Sequence, residues 1–398
     1  MISSIIARVA LSAERQARRY TVGIVAGEAS GDLLGSQLMI ALRELVPQLH
    51  FAGIGGPRMQ AAGMELWFPL EKLAVRGYIE VLGHFFEIIG IRRQLRRRFL
   101  ADPPDIFIGI DAPDFNLDLE LSLKERGIPT IHYVSPSIWM WRRERLHKIK
   151  RAVSKMLTLF PFEEPLYRKA GIEVAFAGHP LADMLERVPR RDAAREQLRL
   201  PASAPVIALL PGSRQSELRY MADLFVQTAQ KISARLPQAI FLAPLVSRET
   251  REIFELALYN NQASELPLTI LFGHAHEALA ASSVALVASG TATLEAALLG
   301  CPMVITYKMP LASYWILRGK HRYLPYFGLP NILAGRFVVP EILQHDATPN
   351  NLSQALLNLL GDEPVRMRLE RKFAAISGSL SRNAARQAAR AILPLLPT

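Results

Sequence analysis

Residues 105–134 read DIFIGIDAPDFNLDLELSLKERGIPTIHYV. The stretch opens on a short isoleucine-rich run (105–110) and closes on another apolar run (130–134). Between them, 117–126 carries apolar residues at helical spacing, and Gly127-Ile128-Pro129 stops the helix and admits the next strand. Strand, helix and strand in this order predict a βαβ unit with its two strands parallel in one sheet.

The rhythm extends both ways. Strands are predicted at 21–26 and 50–54 around a helix at 33–46, then at 155–159 and 174–177. It pauses over 181–204, where mixed charges accompany Pro189 and Pro201. It restarts with strands at 206–210, 239–243, 268–271, 284–288 and 303–307 and helices at 220–235 and 293–299; beyond Pro349 the pattern is helical. The fold class expected is α/β: two parallel-sheet domains with a helical C-terminal segment. The boundaries expected are an N-terminal extension at 1–20, a first domain at 21–186, a linker at 187–204, a second domain at 205–348 and the helical segment at 349–398. Ligands of such sheets bind outside the carboxyl ends of the strands.

The chain has 398 residues, half of them hydrophobic, which excludes a disordered, collagenous or coiled-coil chain. One cysteine excludes an intramolecular disulfide and a cysteine-based zinc site. Lys and Arg outnumber Asp and Glu by 47 to 36, which points to an anionic partner: nucleic acid, an acidic membrane face or a phosphorylated substrate. No recognisable nucleic-acid motif is present, so no nucleic-acid partner is expected. Arg8 interrupts the apolar residues near the start, against a secretory signal. Two stretches concentrate the charge. Residues 75–99 run from an apolar, glycine-dotted half into a basic half, and Lys and Arg recur at 142–151. Each reads either as a solvated helix face or as a membrane-facing surface.

Five strand ends carry the polar residues. The first strand runs into Gly27-Glu28-Ala29-Ser30-Gly31-Asp32, where Ser30 or Asp32 suits a helix cap and Glu28 sits just outside the strand. The 105–110 strand ends at Asp111-Ala112-Pro113-Asp114; Asp114 suits a helix cap, which leaves Asp111 as a candidate general base. The 130–134 strand ends in a cluster of His132, Ser135, Trp139, Trp141 and Arg142, a mixture suited to sugar stacking and phosphate contact unless the tryptophans are core. In the second half, Gly212-Ser213-Arg214 and Ser289-Gly290-Thr291 each follow a strand and precede a helix, an arrangement that offers N–H donors and a guanidinium to an anion. Glu295, one turn into its helix, suits a ribose diol. Together these favour a nucleotide-diphosphate site. The Walker A loop, the dinucleotide fingerprint, the G-x-S-x-G elbow and H-E-x-x-H are all missing. His274 and His276 read as loop histidines.

In this order GEASGD (27–32), GIDAPDFN (109–116), HYVSPSIWMWR (132–142), LLPGSR (209–214), SGTATLE (289–295) and LPNILAGR (329–336) resemble the lipid-A-disaccharide synthase family, over 20–360 of the chain. The resemblance implies a GT-B fold, two Rossmann-like domains facing across a cleft. It implies an inverting transfer of 2,3-diacylglucosamine from UDP-2,3-diacylglucosamine to 2,3-diacylglucosamine 1-phosphate (lipid X), giving the β-1′,6-linked disaccharide 1-phosphate and UDP. Asp111 is then the base, Arg214 the pyrophosphate contact and Glu295 the ribose ligand. Gly212, Ser213, Ser289, Gly290 and Thr291 join the UDP-sugar site, with Asn331 and Arg336 near the donor. Glu28, Ser30, His132, Ser135, Trp141 and Arg142 are acceptor or loop candidates. No metal and no cofactor are implied. A homodimer exchanging C-terminal segments is implied, with Asn331 serving either its own site or the partner's. So is a cytoplasmic enzyme held peripherally at the inner membrane through 75–99 and 142–151. The alternative is another GT-B enzyme using UDP-N-acetylglucosamine, the lipid II-forming transferase or the 2-epimerase. Ala29 stands where many members carry Thr or Ser, and the family gives no account of residues 1–20.

Overall fold

The structure is a computed structural model; it describes residues 19–73, 81–140, 143–310 and 324–397, with the side chains of 81–85 left aside. The chain divides into two units, one comprising Met1–Pro180 with Leu380–Thr398, the other Leu181–Ser379.

The first unit is built on seven strands in the order β3-β2-β1-β4-β5-β6-β7. They are β1 (Tyr20–Ala26), β2 (Leu49–Gly55), β3 (Glu65–Pro69), β4 (Ile106–Ile110), β5 (Thr130–Tyr133), β6 (Lys155–Thr158) and β7 (Val174–Phe176), and every pairing is parallel. Because side chains alternate along a strand, each sheet face has its own core. Val22, Ile24, Ile106, Ile108 and Ile110 pack on one face, and Val25 and Phe107 on the other. The expected strands stand where the sequence puts them, within a residue or two. β3 was not foreseen: ELWFP is a short edge strand without clean alternation.

The second unit has six parallel strands in the order β10-β9-β8-β11-β12-β13: β8 (Val206–Leu210), β9 (Ile240–Leu245), β10 (Leu268–Phe272), β11 (Val284–Ala288), β12 (Met303–Tyr307) and β13 (Glu341–Leu343). The three-residue β13 was likewise too short to read from sequence.

The segment boundaries differ from those expected. The division falls at Pro180, and the expected linker holds a helix, Arg191–Gln197, with Ala194 and Arg195 buried. Buried Arg195 donates to the carbonyls of Ala281 and Ala202 and to Ser283 Oγ. The helical C-terminal segment is shared out. Pro349–Gly361 and most of Glu363–Leu380 pack in the second unit. Ala384–Ile392 returns to the first, burying Ala388, Ala389 and Ile392 beside Leu38, Leu42 and Ile131. Lys155 Nζ donates to Ala391 O at 2.9 Å, tying this helix to β6, and Tyr20 Oη donates to Pro397 O at 3.2 Å, tying the chain beyond it to β1.

Candidate functional site

In the first unit a pocket of about 320 Å³ lies at the carboxyl ends of β4 and β5, lined by Asp111, Pro113, Val134, Ser135, Pro136, Ser137, Ile138 and Arg145. Its backbone is unusual. Asp111 (φ 51°), Ala112 (φ 43°) and Val134 (φ 81°) are left-handed although none is glycine. Each costs about 1–3 kcal/mol, and such strain gathers at functional sites. The Asp111 turn is held on three sides: Asp111 N donates to Tyr133 O at 2.9 Å, Asn116 Nδ2 donates to Asp111 O at 2.8 Å, and Asn116 N returns to Ala112 O at 3.0 Å. The strand therefore enters the Pro113–Lys124 helix directly, with the half-buried Asp111 at the pocket.

Other motif residues went elsewhere. Asp114 does not cap its helix; Ala112 holds the cap position without a side-chain bond, and Asp114 instead meets Arg145 at 2.6 Å. Neither Ser30 nor Asp32 caps the helix after β1, which starts at Ala29. Buried Asp32 accepts from the N–H groups of Gly56, Arg58 and Met59 at 2.9–3.0 Å, capping the next helix along. Glu28 and Ser30 are exposed and not among the pocket's lining residues. His132 is corrected as an acceptor contact: it is fully buried, with Nδ1 2.7 Å from Glu120 Oε1, because alternation on β5 turns it beneath the pocket. Trp139 is core, donating to buried Glu163 at 3.1 Å; Trp141 and Arg142 lie outside the described residues.

In the second unit a pocket of about 510 Å³ gathers Gly212, Ser213, Arg214, Ser289, Gly290, Thr291 and Glu295 at the carboxyl ends of β8 and β11, with Tyr307 from β12. Gly212 has φ 126°, and a side chain there would also meet Glu217. Glu217 is a lining residue that the sequence reading missed. Its Oε2 accepts from Ser213 N at 3.2 Å and Arg214 N at 3.3 Å, so two N–H donors expected for an anion are already engaged. The signal was the cap-x-x-Glu spacing from Arg214 to Glu217. The Arg214 side chain is 81% exposed, its guanidinium 3.8 Å from Glu217, and so it is accessible to a ligand. His276 is more than a loop residue: its Nε2 is 3.7 Å from Glu295, whose carboxylate holds the imidazole above its ordinary value. Asn331 and Arg336 are not among the lining residues. Asn331 is fully buried, donating to Val339 O and Glu341 Oε1 and accepting from Val338 N and Val339 N. Its hydrogen-bonding capacity is spent within its own unit. Arg336 is exposed.

A family model described as lipid-A-disaccharide synthetase matches residues 22–392. The chain belongs to that family. The lipid-A-disaccharide synthase of Methylobacillus flagellatus is 55% identical over 376 residues, covering 94% of this chain and 99% of that protein. Its counterpart from Dechloromonas aromatica is 56% identical, covering 94% and 98%. Among solved structures, Acinetobacter baumannii MurG matches with a TM-score of 0.60 at 15% identity, covering 95% of this chain and all of that one. Neisseria meningitidis UDP-GlcNAc 2-epimerase, bound to UDP-GlcNAc, matches at 0.62 and 12%, covering 94% and 99%. At such identities the likeness is one of fold alone. The family has the GT-B architecture of two Rossmann-like parallel-sheet units, and its members are glycosyltransferases that form the lipid A disaccharide.

Proposed function

We propose that this chain transfers 2,3-diacylglucosamine from UDP-2,3-diacylglucosamine to the 6-hydroxyl of lipid X, with inversion at the anomeric carbon. The observation that carries this reading is the pairing, within one family member, of a carboxylate pocket in the first unit with a nucleotide-type pocket in the second. Asp111 takes the proton of the acceptor hydroxyl as its oxygen attacks C1 of the donor sugar. The C1–O bond to UDP breaks, and UDP leaves with the electron pair. Attack from the face opposite UDP turns an α-linked donor into a β-linked product. Arg214 stabilises the charge growing on the departing pyrophosphate. With Ser213 N and Arg214 N engaged by Glu217, the guanidinium is the pyrophosphate contact. Glu295 accepts from the ribose diol, and Ser289, Gly290 and Thr291 line the phosphate end.

The enzyme works at the cytoplasmic face of the inner membrane, held through its basic surface; no helix among the described residues is long and apolar enough to cross a membrane. It acts as a homodimer. An exchange of C-terminal segments would place the partner's Ala384–Ile392 helix where this chain's own helix packs.

The test is disaccharide formation from UDP-2,3-diacylglucosamine and lipid X, with UDP-N-acetylglucosamine as control donor. Product from the acylated donor alone is expected; product from the unacylated donor alone overturns the reading. Asp111→Asn should lower kcat by about 10²–10⁴-fold with UDP binding unchanged. Turnover retained in that variant removes Asp111 from the role of base.

A further inference from the structure

The transfer just described leaves one charged group of the first pocket unused. Arg145, the first residue of the Arg145–Ala152 helix, shares the pocket with Asp111, Ser135 and Ser137 and is the one cation lining it among the described residues. The two members of its ion pair are set very differently. The Arg145 side chain is 18% exposed, whereas that of Asp114, 2.6 Å away, is 83% exposed. The cation belongs to the pocket wall and its carboxylate partner to the solvent. A pair with so exposed a member adds little stability, which makes Asp114 an exchangeable counter-ion.

The surroundings accentuate the positive charge. Arg92 and Lys148 divide the Asp118 carboxylate between them, at 2.7 and 2.5 Å. Arg92 also donates to Asp114 O at 3.2 Å. Three cations thus face the two carboxylates on this side of the Pro113–Lys124 helix. Arg145 moreover sits at the positive end of its own helix dipole, a placement that helix stability disfavours and that a bound anion would reward.

The acceptor under the proposed reaction has two functional ends on one sugar ring: a hydroxyl at C6 that must lose a proton and a phosphate monoester at C1. The pocket offers a carboxylate for the first and a guanidinium for the second. We propose that Arg145 binds the acceptor's phosphate, releasing Asp114 to do so, and thereby makes the enzyme select a phosphorylated over an unphosphorylated acceptor. The planar fork of arginine suits a phosphate's oxygens bidentately. The donor's pyrophosphate has a cation of its own, Arg214, in the second unit's pocket. This inference rests on the disaccharide reading given above.

The experiment compares kcat/KM for lipid X and for its dephosphorylated counterpart, 2,3-diacylglucosamine, in the wild type, Arg145→Gln, Arg145→Lys and Asp114→Asn. The wild type should prefer the phosphorylated acceptor by about 10- to 100-fold, the scale of a charge-assisted hydrogen-bonded pair. Arg145→Gln should collapse that ratio towards one, raising KM for lipid X far more than KM for the UDP donor. Arg145→Lys should fall between. Asp114→Asn, which removes the competing carboxylate, should lower KM for lipid X. An undiminished preference in Arg145→Gln overturns the inference, as does a rise confined to the donor's KM. Should the arginine variants fail to fold, an unchanged lipid X KM in Asp114→Asn overturns it. A wild type that makes no disaccharide from lipid X removes the functional reading and this inference together; the overturning outcomes named before it remove this inference alone.

Discussion

Glu163 shows how one buried side chain ties the loop after β5 to pH. Its Oε1 accepts from Trp139 Nε1 and its Oε2 from Phe160 N, both at 3.1 Å, while Ser135 and Tyr167 share a 2.7 Å hydrogen bond beside it. Burial pushes the carboxyl up to about 7 from an ordinary 4.5, against the lowering effect of those hydrogen bonds. Between these values the folded protein holds a proton that the unfolded chain has released. Stability therefore falls as pH rises through that window, by about 3 kcal/mol in full at about 1.4 kcal/mol per unit. Thermal melts from about pH 5 to about pH 8 should show this decline in the wild type and a flatter profile in Glu163→Gln, the slope rather than the absolute stability being the readout. Equal slopes would mean that Glu163 titrates as an ordinary carboxyl.

At the scale of elements, the Asp111 turn rests on a polar clamp between β4, β5 and the Pro113–Lys124 helix. Gly109 on β4 lies beside His132 on β5, and a Cβ at Gly109 would stand 2.1 Å from Glu120 Oε1 and 2.9 Å from Asn116 Cβ. Glu120 cannot easily yield, being fully buried and bound to His132. Burial pushes the Glu120 carboxyl up, and His132 pulls it partly back. Gly109→Ala should cost at least the ~1–3 kcal/mol of overpacking, and more if the buried pair breaks. Thermal unfolding should drop by roughly 2–4 °C for each kcal/mol lost. An unchanged melting temperature would show that the clamp relaxes freely. The sequence gives the helix and both strands here, yet places His132 among the acceptor contacts. Its partner Glu120 lies on a different element, so only the packing of helix on sheet reveals the pair.

At the scale of the whole molecule, the two basic stretches, among their described residues, form two kinds of surface. Much of the basic stretch at 142–151 is balanced locally: Arg145 by Asp114, Lys148 by Asp118, Arg151 by Glu125. The Val81–Ala101 helix differs. Ile91, Leu95 and Phe99 are core, while Arg93, Arg96 and Arg97 are exposed, as is Phe86. Arg98 stacks over Trp67 at 4.1 Å and Arg92 pairs with Asp118, so neither is a clean probe of the surface. Replacing Arg93, Arg96 and Arg97 by Ser should weaken binding to anionic vesicles at low salt by about 3 kcal/mol, roughly two orders of magnitude, at ~1 kcal/mol per cation. Unchanged sedimentation with vesicles would return this face to ordinary solvation.

By itself the sequence determined the two parallel sheets, because the strands and the turns at their ends are local patterns of apolar runs, glycines and prolines that need no distant partner to be read. It also determined the family, through motifs at those turns. The tertiary structure alone decided which motif residues line the two pockets. His132 and Asn331 are spent in buried hydrogen bonds, Asp32 and Asp114 serve partners on other elements, and Glu217 and Arg145, outside the motif candidates, line the pockets. The reason is physical: a strand's apolar periodicity is fixed within a few residues, but the direction and partner of a polar side chain are set by strand register and helix packing between segments far apart in the chain.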